Sequence, residues 1–253
     1  MRVFLRLSFV LSFLSSGTPA FATDFWPIEV SGMSEFCLSF VADLQAARTY
    51  AEQRNLTVPA FEYQGQDYAR VMFCNDHSNQ AGSEFDESIL GLFVEGPSGS
   101  GMYVPKTYSP NIQNSMLARH VFRSAHEIAK IQAQISATSA KVEIRAVSGA
   151  FIARMTWNDA GSVEESQRYQ GNVYSPRSSG WFGLVPFSYP FIVEGVYHLA
   201  EYAASSHSFL FGSGTPWDEL IQELGPLTPI RSQASDQQIN YKMGLPRPYA
   251  IRF

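Results

Sequence analysis

The sequence is short of cysteine, of clustered charge and of long apolar runs, and each shortage excludes a class of protein. Eighteen Lys and Arg face 23 Asp and Glu, a net charge of −5, and the charges are scattered. No basic stripe or tail marks a nucleic-acid surface. The one apolar run, Val3 to Leu14, is broken by Arg6 and Ser8 and falls short of the roughly 20 residues that span a bilayer. No repeat, linker or low-complexity segment divides the chain. No glycine-rich loop sits between a strand and a helix, and Gly96 to Gly101 reads as a turn, so no phosphate cradle is expected. His77, His198 and His207 lack ligand spacing with one another or with the acids, which leaves no expected metal site. No cofactor is expected either.

The N-terminus carries the clearest signal. Arg2 and Arg6 flank the apolar run, and Ala20-Phe21-Ala22 offers small residues at the positions that a signal peptidase reads. Residues 1–22 are therefore expected to be a signal peptide, the protein secreted or periplasmic, and the mature chain without a membrane span. Residues 23–253 are enough for a single domain that buries roughly 70% of its unfolded surface. Two cysteines, Cys37 and Cys74, read in an oxidising compartment as one disulfide between strand-like segments. Asn55-Leu56-Thr57 is a glycosylation sequon, meaningful only in a eukaryotic secretory pathway. Aromatic residues make up 14% of the chain, a content that suits a β-rich core and pocket walls.

Along the chain, Phe36–Val41 reads as a strand. Asp43 then offers an N-cap to a helix over Leu44–Ala51, with Leu44, Ala47 and Ala51 on one stripe. Phe61–Tyr63 and Tyr68–Cys74 form a hairpin about Gly65, and Asp76 to Glu84 reads as a loop. Ser88–Glu95 is a strongly apolar strand, and Met102–Pro105 another. Thr107 to Ile131 opens with turn residues and runs into the longest helix-compatible segment. Lys141–Trp157 is a hairpin turned at Ser148-Gly149. Leu184–Val196 reads as an interrupted strand and His207–Phe211 as a strand. A short helix over Trp217–Leu224 and a last strand over Gln238–Met243 close the pattern. Many strands with two or three helices make an α+β, mainly β class, as a closed barrel or double sheet with peripheral helices.

Four places resemble the acetoacetate decarboxylase family, whose fold is a β-barrel with helices packed against it. The unit Phe36 to Pro59 is similar to the family's N-terminal strand, helix and proline. Leu92-Phe93-Val94-Glu95 resembles the strand end whose glutamate faces the active site. Ala118 to Ala129, with Arg119, His120, His126 and Glu127, is similar in length and character to the family's Gly-Arg-Glu-Leu-x-Gly-x-Pro-Lys-Lys-Leu-Ala. Phe209-Leu210-Phe211, Pro226 to Ile230 and Leu245-Pro246 follow the family's closing pattern. The resemblance runs through nearly the whole mature chain.

It also shows what is missing. The family condenses an oxo acid with a lysine whose amine is kept partly neutral. Here His126 and Glu127 stand where the family has its two lysines, and no arginine between Thr23 and Glu35 matches the family's N-terminal one. Imidazole forms no iminium electron sink. The resemblance therefore implies a small anionic or carbonyl-containing ligand in the barrel cavity, handled by acid–base chemistry with His126 as base, Glu95 as acid and Arg119 as carboxylate clamp. Glu127 is expected to be solvated. Lys130, four residues after His126, is the one amine near enough on a helix to stand in. The alternative is a non-catalytic binding protein that kept the pocket and lost the amine. A homo-oligomer is compatible with all of this.

Overall fold

The computed structural model describes residues 28–77, 86–112, 125–158, 162–176, 187–245 and 247–248. The expected signal peptide and Arg119 lie outside these residues. Among them fourteen strands and two helices follow in the order β1 (Ile28–Ala42), α1 (Leu44–Glu52), β2 (Phe61–Tyr63), β3 (Gln66–His77), β4 (Asp86–Gly96), β5 (Gly99–Tyr103), β6 (Thr107–Ser109), β7 (His126–Ile135), β8 (Ser139–Ala146), β9 (Phe151–Asn158), β10 (Val163–Ser175), β11 (Phe187–Glu201), β12 (His207–Phe211), α2 (Pro216–Leu224), β13 (Thr228–Met243) and β14 (Arg247–Pro248). The class is α+β and mainly β, as expected.

Strand pairing closes on itself. The path runs β4–β5–β10–β11–β13–β1–β3 and returns from β3 to β4. All of its pairs are antiparallel except β5 with β10. At that parallel contact Gly101 lies against the backbone of Asn172, where a Cβ would come within 1.9 Å of the Asn172 carbonyl oxygen. A second layer branches from β4 through β6 to β7, β8, β9 and β12.

Consequently β1, β3 and β4 are buried on both faces. Their even-numbered or odd-numbered sets face two different cores, as the period of two requires. Phe36, Leu38, Phe40, Phe73, Leu90 and Leu92 point outward into the main core, against Val142, Ile144, Met155 and Trp157 of the second layer. Phe36 stacks on Trp157 with centroids 6.1 Å apart, and Phe73 meets Trp217 of α2 edge-on at 5.9 Å. Met33, Cys37, Met72, Cys74 and Met102 point inward, into the ring.

The local signals explain both helices. Asp43 Oδ1 accepts from Ala46 N at 2.7 Å, and α1 buries Ala47, Tyr50 and Ala51. Thr215 caps α2, Pro216 occupies its first turn, and Gly225 leaves it with φ 76°. Gln64 and Gly65, with φ of 52° and 76°, make the two-residue hairpin turn between β2 and β3.

Two expectations need correction, and one strand, β10, was not anticipated. The segment from His126 to Ile131 is strand β7, not helix, because β6 and β8 pair with it on either side. Strand β10 lies in a polar stretch whose outer half is exposed, so it shows little apolar alternation. Strand β13 begins at Thr228 rather than near Gln238, since its first half is polar on both faces: Gln233 lines the ring cavity while Ser232 faces outward and bonds His207 of β12 at 2.8 Å.

Cys37 and Cys74 are directly opposite on β1 and β3 and form the expected disulfide, with Cα atoms 4.1 Å apart. It closes a loop of 37 residues, which corresponds to about 3–4 kcal/mol of stabilisation in the chain-entropy picture. Replacing both cysteines with alanine is expected to lower the free energy of unfolding by about that amount, read from chemical denaturation. A change under about 1 kcal/mol would mean that the ring pairing already holds β1 to β3 without it.

Candidate functional site

The antiparallel register sets three acids in one row. Glu35 on β1 is opposite Asp76 on β3, and Asp76 is opposite Glu87 on β4. The next row toward the other end of the ring holds Cys37, Cys74 and Ile89. All three carboxyls line a cavity of about 170 Å³ inside the ring, whose exposed wall is mostly apolar. Aromatic and sulfur-bearing side chains, among them Tyr189, Tyr241, Phe93 and Met102, make up much of that wall. No lysine or arginine lines it among the described residues.

Like charges directly opposite on neighbouring strands repel, and burial adds to the cost of ionising them. Both effects appear here. Burial, then the charges of Glu35 and Glu87, push the Asp76 carboxyl well above the usual carboxylate range. Burial also raises Glu35, while hydrogen bonding with Asp76, Tyr197 and Gln233 holds it back. Of the two, Asp76 is pushed further toward its protonated form, and the two carboxyls are hydrogen-bonded to each other. Gln233 Nε2 donates to Glu35 Oε1 at 3.5 Å, and Tyr169 Oη donates to Gln233 Oε1 at 3.0 Å. Asp76 Oδ1 is buried and accepts no hydrogen bond among the described residues.

Glu87 is held differently. His126, at the start of β7, is 7% exposed, and its Nε2 lies 2.6 Å from Glu87 Oε1. Beside Glu87, Asn75 Nδ2 donates to the Glu87 carbonyl at 3.0 Å and to Ser88 Oγ at 2.8 Å, which fixes the register of β3 on β4. A carboxylate and an imidazole in contact can hold and pass one proton between them.

The residues read from the sequence fall in different places. His126 is buried at the site, against Glu87. Glu95 is exposed at the far end of β4, where its backbone pairs with Thr57. The carboxylate that β4 presents to the cavity is thus Glu87, eight residues earlier on the same face. Glu127 is half-exposed and pairs with Lys106 at 3.4 Å. Lys130 is exposed on β7 and points away from the cavity. The chain's lysines are Lys106, Lys130, Lys141 and Lys242, and none of them lines the cavity. Glu35, Asp76 and Gln233 were not anticipated as site residues. Their one sequence signal is a polar residue in an otherwise apolar strand, as with Glu35 before Phe36-Cys37-Leu38 and Asp76 after Met72-Phe73-Cys74.

Glu35, Cys37 and Cys74 form the one grouping among the described residues whose ligand-type atoms lie close enough to hold a metal ion. Its two sulfurs are already bonded to each other. No helix among the described residues is long and apolar enough to cross a membrane, which together with the disulfide is compatible with a location outside the cytoplasm.

No family model matches the sequence, and no curated protein does. Solved structures do match by fold. The chain is similar to an acetoacetate decarboxylase from Legionella pneumophila subsp. pneumophila str. Philadelphia 1, with 10% identity over 88% of this chain and 86% of the other and a TM-score of 0.59. It is also similar to the enduracididine biosynthesis enzyme MppR complexed with pyruvate, at 13% identity, 94% and 96% coverage and a TM-score of 0.58. A further acetoacetate decarboxylase structure gives 12% identity, 88% of each chain and a TM-score of 0.55. The fold is that of the acetoacetate decarboxylases and related enzymes.

The raised carboxyl pair makes stability depend on pH in a defined direction. A carboxyl whose pKa is higher in the folded than in the unfolded state binds more protons when folded, so stability falls as pH rises through that interval. Asp76→Asn removes the ionisation while keeping the shape. It is expected to leave the melting temperature unchanged below about pH 4, where the unfolded-state carboxyl is also protonated, and to raise it relative to the parent at pH 7 to 9. Thermal unfolding across that range reads the sign, and a variant less stable than the parent at pH 8 would contradict a protonated Asp76.

Proposed function

We propose that this protein takes a compact carbonyl-bearing molecule into the ring cavity and acts on it by proton transfer rather than through an imine. The observation that carries the reading is the acid row: a carboxyl kept protonated, Asp76, beside a carboxylate–imidazole pair, Glu87 and His126, in a largely apolar cavity. A protonated carboxyl in such surroundings donates a hydrogen bond to a carbonyl oxygen. Glu87, backed by His126, takes a proton from the carbon next to the carbonyl. Asp76 meets the charge that develops on oxygen. The C–H proton goes to Glu87, an enolate forms whose oxygen accepts a hydrogen bond from the Asp76 carboxyl, and return of the proton from Glu87 to carbon restores the ketone.

Three points support the choice. A cavity of about 170 Å³ is comparable to those that enclose benzene-sized guests. No lysine stands where it could condense with the ligand. A protein of the same fold is complexed with pyruvate, so folds of this kind accept small oxygenated molecules. We also place residues 23–253 as one domain, delivered outside the cytoplasm by the N-terminal signal. Glu95 takes no part in this chemistry. The second reading, a binding protein without turnover, is favoured by the absence of a lysine from the cavity wall, since the amine that performs the family's chemistry is not replaced by another.

The distinguishing experiment follows deuterium uptake from heavy water at the carbons flanking the carbonyl of 2-heptanone, by proton NMR. The parent protein is expected to catalyse exchange, with Glu87→Gln slowing it by about a hundredfold or more, and borohydride trapping no adduct on the protein. Thermal stabilisation by 2-heptanone without exchange selects the binding reading. Absence of both removes the cavity as a carbonyl site.

A further inference from the structure

Arg70 lies on the cavity-facing side of β3, three rows from the acids. The inward-facing set of β3 runs Arg70, Met72, Cys74 and Asp76, and the last three line the cavity. Arg70 is opposite Val41 on β1. Its guanidinium carbon lies 4.6 Å from the ring centroid of Phe93, which lines the cavity, and 5.6 Å from that of Phe61. Both rings pack against the guanidinium at the Phe93 level of the ring, away from Glu35, Asp76 and Glu87; Phe93 borders the cavity and Arg70 sits behind it. Its Nε is buried and donates to no acceptor among the described residues. Burial pulls the guanidinium below its usual value, with the neighbouring charge of Arg231 adding to that effect. A buried charged donor without an acceptor costs more than most single interactions contribute, and such a group calls for an occupant.

The geometry points to an anion subsite at Arg70, so that the cavity's ligand carries a carboxylate at one end and its carbonyl at the other, several carbons away. This deepens the proton-transfer reading and rests on it. Six residues of strand separate the Cα atoms of Arg70 and Asp76 by about 20 Å. The Arg70 guanidinium packs on Phe93, at 4.6 Å from its ring centroid. An acid whose carboxylate and keto group sit on adjacent carbons cannot touch both ends at once. A medium-length ω-oxo acid can, with its methylene chain against the apolar wall between them. Guanidinium suits the carboxylate because it donates in a planar, forked geometry and remains charged.

Three probes of matched carbon count test the subsite: 6-oxoheptanoate, 2-oxoheptanoate and 2-heptanone. Their affinities are measured by calorimetric titration at constant ionic strength, on the parent and on Arg70→Met. The parent is expected to bind 6-oxoheptanoate roughly ten- to a hundredfold more tightly than either other probe. Arg70→Met is expected to bring 6-oxoheptanoate down to the level of 2-heptanone and to leave 2-heptanone where it was. Arg70→Lys, which keeps the charge and loses the flat stack, serves if the methionine variant fails to fold, and is expected to lose part of the preference. Equal binding of the acid and the ketone by the parent, or a preference that survives both substitutions, overturns the subsite and leaves the carbonyl site standing. Tighter binding of 2-oxoheptanoate overturns the spacing. Failure of all three to bind overturns the subsite together with the cavity reading.

Discussion

Three carboxyls face one another across β1, β3 and β4, and the interior of the ring is arranged around that repulsion. Side by side in a place that water barely reaches, they cannot all ionise. One is pushed toward its protonated form, one is braced by hydrogen bonds from Gln233 and its neighbours, and one leans on an imidazole. The strands could relieve the conflict by slipping one residue, which would turn every side chain to the opposite face. The disulfide in the adjacent row prevents that slip between β1 and β3. The buried amide of Asn75 does the same between β3 and β4. The strain of the acid row is held in place by covalent and polar pins one step away.

The outer face of the same three strands supplies the remaining restraint. Phe36, Leu38, Phe73 and Leu90 are essentially inaccessible and belong to a core shared with the second layer and both helices. Burying a large apolar side chain contributes on the order of 1.5–3 kcal/mol, so the outward residues of these strands easily outweigh the cost of a few inward polar ones. Alternation along a strand therefore lets one segment satisfy stability on one side and chemistry on the other. This explains why the acids sit on the central strands of the fold and not on its loops.

Much of that arrangement was legible in the residues. The hairpin about Gly65, both helices with the Asp43 cap of the first, the strand at His207–Phe211 and the Cys37–Cys74 bond all follow from local chemistry, because turn, cap and alternation signals act over a few residues. The site was less legible. Glu95 looked favourable because it ends an apolar run beside a glycine turn, yet facing a cavity is decided by how far the ring extends past each strand end. Glu87, on the same face, is set inside by its partners on β3. Glu35 preceded an expected strand and Asp76 opened an expected loop, whereas both lie within strands, and only the register brings them together. His126 was named through the family resemblance and is buried against Glu87, but on a strand, since the pairing of β7 with β6 and β8 outweighs the helical leaning of His126 to Ile131. Polar β10 and the first half of β13 were missed for one reason: a strand that is exposed on its outside or polar toward a cavity lacks the alternation by which strands are recognised.

An acid row in a cavity that no lysine lines also limits what chemistry the cavity can support. Loss of carbon dioxide from an oxo acid needs a carbonyl-derived electron sink close to the departing carboxylate, and an iminium supplies it as a full positive charge. A hydrogen bond from a neutral carboxyl offers a partial charge, enough to ease removal of a proton by a neighbouring base. It is a weaker sink for a carbanion left by carbon dioxide. The placement of Arg70 agrees with that limit. In the proposed subsite, a carboxylate held three rows from the acids would be too far from the carbonyl for its electrons to flow there, and would serve as a handle while proton transfer takes place at the other end. On that proposal the cavity separates the charge that positions the ligand from the groups that act on it.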